Sequence, residues 1–243
     1  MKETVGFIKN RAGKTIAAAT NIAVKWVWPG KTIPEMQTML TGIEGDSTAS
    51  PPLPGQEGTA VAAERAMMTA RGAWDAGLHQ LHSWTMNGIA LGKTHFGDQP
   101  IKRGLLANLT ARGASRADIL AEALAWEAAW SEADATYTPL AGITLTAFET
   151  LRLQCLTTLQ DDYNKAYSTW RDQVGALAQI AADLEKVLVA WYSDATRVFP
   201  AGTPEGDMIR GTVPTTYTPT SKLAPPPPAP APTSSQTTTP AGA

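Results

Sequence analysis

Hydrophobic positions in this chain recur at steps of three and four, not two. One stripe runs from Tyr163 through Ala166, Trp170, Val174, Leu177, Leu184 and Trp191 to Val198, the periodicity of one helix face. A seam of that length needs partner helices to cover it. Trp170 and Trp191 lie three heptads apart on it. Both are therefore expected to face one core, packed against helices over 59–95 and 115–135 with Trp126 or Trp130 beside them.

The remaining segments read the same way. Val5, Ile8, Ala12, Ile16, Ala19, Ala23 and Trp26 predict a helix over 4–28 that Pro29-Gly30 stops. Thr32-x-Pro34-Glu35 supplies a capping hydroxyl and an early acid for a short helix over 33–42. Residues 43–58 are loop by composition. Val61, Met67, Trp74, Leu78, Leu81, Trp84 and Ile89 predict a helix over 59–95, and its Gly72, Gly77, Gly88 and Gly92 are read as places where another helix comes close. A short helix over 101–111 precedes Gly113. Ser115-Arg116-Ala117-Asp118 opens a helix to about 135, and Thr146-x-x-Glu149 opens the longest one. No alternating strand pattern competes. The expected fold is all-α, an antiparallel bundle of long helices without a sheet. It divides into a basic N-terminal helical segment (1–45), a loop (46–56), the bundle (57–211) and a tail (212–243).

That tail changes the picture. VPTTYTPTSKLAPPPPAPAPTSSQTTTPAGA carries one charge and no apolar period. Such a Pro/Thr/Ala-rich segment is expected to be disordered, its proline run favouring the extended polyproline form.

Charge narrows the partners. The net charge of −2 argues against wholesale nucleic-acid binding. Residues 1–31, however, hold Lys2, Lys9, Arg11, Lys14, Lys25 and Lys31 against Glu3 alone. An anionic-surface contact through Lys9, Arg11, Lys14 and Lys25, with Trp26 and Trp28 at the interface, is one reading of that segment. The best apolar run, TIAAATNIAVKWVW, is too short and too polar to span a membrane and lacks the h-region and cleavage site of a signal peptide. Cys155 is the sole cysteine, so no internal disulfide forms. A cytoplasmic location is favoured.

Candidate chemistry is sparse. GKT occurs at 13–15, 30–32 and 92–94, but the first glycine of a phosphate loop is replaced by Ile8, Lys25 and Asn87 respectively. None of the three fits a nucleotide hydrolase or kinase. Asp75, His79 and His82 fall on one helix face, an arrangement a first-row metal could use. A polar helix face is the simpler reading. His95 sits at a helix end, where an imidazolium meets the dipole. Most of the eight tryptophans are expected in the core. Asn108-Leu109-Thr110 is a glycosylation triplet, relevant only in a secretory pathway. Cys155 reads as an inert buried thiol, and no serine sits in a nucleophile elbow. No catalytic residue and no cofactor are assigned.

Two helix ends are alike: Lys93-Thr94-His95-Phe96-Gly97 and Thr196-Arg197-Val198-Phe199-Pro200. The second, RVFPAGTPEGDMIRG, resembles the ending of a loose group of uncharacterised bacterial helical-hairpin proteins with proline-rich extensions, a likeness covering about 57–211. The resemblance implies a helical bundle with an extension and no activity. The function expected is a non-catalytic structural or protein-interaction bundle, with a protein partner or self-association. The alternatives are the metal-dependent enzyme and the membrane-surface protein.

Overall fold

Capping residues fix where the helices begin. The computed structural model describes residues 2–213, so the expected tail lies, from residue 214 on, outside the described residues. Helix accounts for three quarters of what is described. The helices are α1 (Lys2–Ile22), α2 (Ile33–Glu44), α3 (Gln56–His95), α4 (Pro100–Leu106), α5 (Arg116–Asp134), α6 (Leu145–Leu156), α7 (Thr158–Val198) and α8 (Pro204–Arg210). Ser115 Oγ accepts from the Asp118 N–H at the start of α5, as its sequence predicts. Thr32 and Glu35 cap α2 reciprocally, the Thr32 N–H donating to Glu35 Oε2 at 2.6 Å. No described helix is long and apolar enough to cross a membrane.

The chain forms two compact units, residues 1–36 with 182–243, and residues 37–181. This division differs from the one the sequence suggests at 45 and 57, because α2 and α7 each contribute to both units.

In the 37–181 unit α3 is the central element, contacting α4, α5 and α6. Gly88 and Gly92 bring α5 close: a β-carbon at Gly88 would lie 2.8 Å from the Trp126 indole, and one at Gly92 would lie 3.0 Å from it. Gly77 does the same for α6 and α7, facing Cys155 and Leu159. Gly72 has no neighbour within 4 Å, so the expectation of a close approach fails there. Arg116 reaches Asp75, and Trp126 covers Gly88. Hence α3 and α5 run parallel, the chain returning through Phe96–Ser115. Trp130 packs on Phe148, and Arg152 pairs with Glu127 at 2.6 Å, which sets α6 antiparallel to α5. The core gathers Trp74, Leu81, Phe96, Leu106, Trp126, Trp130 and Phe148.

Four further expectations need correction. The helix of 4–28 ends at Ile22, whose carbonyl accepts from both the Lys25 and Trp26 N–H groups as the chain leaves the helix in a turn. The long C-terminal helix starts two residues earlier, capped by Thr144 rather than Thr146, and is interrupted at Thr157, whose hydroxyl bonds back to the Leu153 carbonyl. A small sheet exists: Gly45–Asp46 pairs antiparallel with Leu53–Pro54. Gly45 adopts φ +92°, which favours glycine, and its partners approach too closely for a side chain. Finally, Trp170 and Trp191 do not share one core. Trp191 is buried in the 1–36/182–243 unit, whereas Trp170 is partly buried in the other unit, packed on Tyr167 at 5.6 Å. The core that holds Trp126 and Trp130 includes neither. One continuous stripe on α7 thus serves two cores.

The glycines give a paired test. Gly88→Leu should overpack α3 against Trp126 and lower stability by about 1–3 kcal/mol. Gly72→Ala should raise it by about 0.5–1 kcal/mol, since the helix gains propensity and meets no atom. Denaturant midpoints of the two variants check both signs.

Candidate functional site

The three GKT triplets take no phosphate-loop geometry. Gly13-Lys14-Thr15 lies inside α1, Gly30-Lys31-Thr32 in the bend before α2, and Gly92-Lys93-Thr94 in the last turns of α3. None follows a strand.

The metal candidates disperse. Asp75 gives its carboxylate to Arg116 at 2.7 Å and lies 3.6 Å from Arg71. His79 is exposed, while His82 turns its ring against Gly113, where φ is +58° and a β-carbon would lie 2.6 Å from the imidazole. Among the described residues no three His, Cys, Asp or Glu side chains are grouped to hold a metal. Cys155 is buried, and burial pushes its thiol pKa up, opposite to what a nucleophile needs. His95 stacks on Tyr137 at 4.2 Å with the rings 10° from parallel, a contact the sequence does not suggest.

The basic segment is used internally. Arg11 is buried and its Nε finds no partner, so it cannot meet a surface. Lys25 pairs with Glu205, and Lys31 with Glu35. Lys14 is exposed and Lys9 partly buried.

What remains is an apolar turn in the 1–36/182–243 unit. After Ile22 the chain leaves the helix, and Val24 and Val27 stand 96% and 81% exposed. Between and after them the two indoles are tied down. Trp26 meets Phe199 edge-on at 6.2 Å, and Trp28 Nε1 donates to Asp194 Oδ2 at 2.9 Å. The turn is also held by α8, where Asn21 contacts the Met208 sulfur at 3.7 Å and Lys25 binds Glu205. Val198 and Met208, both exposed, extend the apolar character. Anchored aromatics therefore present two protruding valines, beside the Lys25–Glu205 and Arg197–Asp194 pairs. The sequence singles out Trp26 and Trp28 but neither valine, because both lie off the helical stripe and carry no motif of their own.

A second aromatic row lies in the 37–181 unit, where Trp74, Tyr163, Tyr167 and Trp170 follow one another at 5.4, 6.0 and 5.6 Å. Arg116 covers Trp74 at 4.2 Å. Trp74 is buried and the other three are partly buried, so the row offers less open surface than the turn.

No protein-family model, curated protein or solved structure matches the chain.

The Lys25–Glu205 bond predicts a pH dependence. The lysine's hydrogen bond holds the Glu205 carboxyl below its ordinary value of 4.5. A depressed folded-state pKa adds stability that is complete above the unfolded value and lost as pH falls through the folded one. Acid titration below about pH 4.5 should therefore loosen α8 from the turn, seen as a change in Trp26 and Trp28 fluorescence. Glu205→Gln should flatten that part of the curve. An unchanged acid profile in Glu205→Gln would place the transition elsewhere.

Proposed function

We propose that this protein is a non-catalytic interaction protein, a helical scaffold that presents the Val24–Trp28 turn to a protein partner. The observation that carries the reading is the near-complete exposure of Val24 and Val27 on a turn whose own indoles are fixed by Phe199 and Asp194. A single exposed apolar side chain is ordinary; two on one anchored turn, beside exposed Met208, favour a contact surface. The pairing of Lys25, Lys31 and Arg197 with Glu205, Glu35 and Asp194 favours an uncharged partner over an anionic membrane surface. The metal-enzyme reading has less support, since Asp75 is engaged by Arg116 and His82 faces Gly113.

Replacing both valines by serine separates contact from folding. Val24→Ser with Val27→Ser should leave the melting temperature nearly unchanged, because neither side chain is buried. Peptides selected from a random library on the full chain should lose about tenfold or more in affinity for that variant. Binders indifferent to the double substitution would locate the contact surface elsewhere. Stoichiometric zinc, iron or manganese that disappears with His79→Ala would restore the enzyme reading.

A further inference from the structure

Five polar or charged side chains are buried among the described residues: Arg11, Thr15, Thr85, Arg152 and Thr212. Three of them have their bonds. Thr85 donates to the Leu81 carbonyl at 2.8 Å and Thr212 to the Ile209 carbonyl at 2.7 Å. Arg152 holds Glu127 through Nε at 2.6 Å and through a terminal nitrogen at 3.0 Å. The other two differ. Arg11 Nε and Thr15 Oγ1 are enclosed without a hydrogen-bond partner, and no carboxylate among the described residues pairs with Arg11. The two residues are 5% and 1% exposed.

They are also neighbours. Both lie on α1 one turn apart, where side chains four residues apart share a face with their β-carbons about 5–6 Å from each other. Thr15 leaves unused the backbone acceptor four residues back, the bond that Thr20 makes to the Ile16 carbonyl at 2.8 Å on the same helix. A buried ionised group is strongly unfavourable unless it is both paired and hydrogen-bonded. Water can take the hydrogen bonds of a guanidinium but leaves its charge uncompensated. An oxyanion meets both needs, accepting charge-assisted bonds from the guanidinium and a further one from the hydroxyl. Burial also limits size, because side chains so enclosed meet neither a membrane nor a protein surface and are left to a small ion. Lys14, exposed and immediately before Thr15, adds positive charge on the same turn.

We propose that Arg11 and Thr15 form a binding site for a small oxyanion, a phosphate or a carboxylate, which stabilises the folded 1–36/182–243 unit. The site is separate from the Val24–Trp28 turn, and either holds without the other.

The test follows the thermal unfolding midpoint of the full chain as inorganic phosphate, or in a second series acetate, replaces chloride at constant ionic strength. A ligand held only by the folded state raises the midpoint as its concentration grows, so the midpoint should climb with at least one of the two anions. The anion that acts identifies the occupant as phosphate-like or carboxylate. Arg11→Met removes the charge and keeps an apolar stem, so it should abolish the response and melt no lower than the unaltered chain in chloride. Thr15→Val, of equal volume, should need about tenfold more anion for the same shift. The Arg11 Nε–H resonance should move with the active anion and saturate. A midpoint indifferent to both anions overturns the proposal and leaves the two groups to water. An equal rise in the unaltered chain and both variants also overturns it, since salt exclusion from the protein surface acts without a site. If Arg11→Met does not fold, the Thr15→Val series and the Nε–H titration decide between the same outcomes.

Discussion

The seating of the Trp126 indole across Gly88 and Gly92 is the contact on which the 37–181 unit depends. It sets the distance between α3 and α5, and with it the parallel course of those two helices. The ring is nearly inaccessible and stacks on Trp130 at 5.4 Å, which in turn packs on Phe148. Two other indoles of this core satisfy their N–H groups on backbone carbonyls: Trp74 on Cys155 and Trp130 on Tyr137. Trp126 Nε1 has no partner, a cost of about 1–3 kcal/mol that its large buried apolar area must offset. A bulky ring on small residues is a jigsaw fit, so neither side tolerates a change of volume.

Much of this was legible in the sequence. The stripes located the helices, and Ser115 and the Thr32–Glu35 pair marked two starts at the right residues, because a cap is a local interaction between groups three residues apart. The close approaches at Gly77, Gly88 and Gly92 followed from the cost of glycine in a helix. Gly72 looks identical in sequence and touches nothing, since only the fold decides which glycines face a neighbour. The same limit explains α7. Its stripe is continuous, and a period carries no information about which partner covers each part, so Trp170 and Trp191 could not be assigned to different cores. The interruption at Thr157 was hidden because threonine fits a helix as readily as it bends one.

The turn was half legible. Trp26 and Trp28 stood out beside a proline and a run of cations, but the cations suggested an anionic surface. Arg11 proved to be buried, and Lys25 and Lys31 found acids far away in sequence or one turn along. Val24 and Val27 lie off the stripe of α1 and carried no signal of their own. Their exposure depends on the helix ending at Ile22, which Phe199 and Asp194 reinforce by capturing the two indoles from across the unit. Function on this reading belongs to a surface held in shape rather than to a catalytic group.

Preorganisation of that surface is the central claim, and backbone relaxation measured by nuclear magnetic resonance tests it most directly. If Trp26 and Trp28 clamp the turn, the amides of Val24 and Val27 should show order parameters near the rigid-backbone value of about 0.85 despite their exposed side chains. Values below about 0.6 at both amides, with α1 and α8 rigid on either side, would mean a mobile linker in place of a presented surface, and would contradict the account.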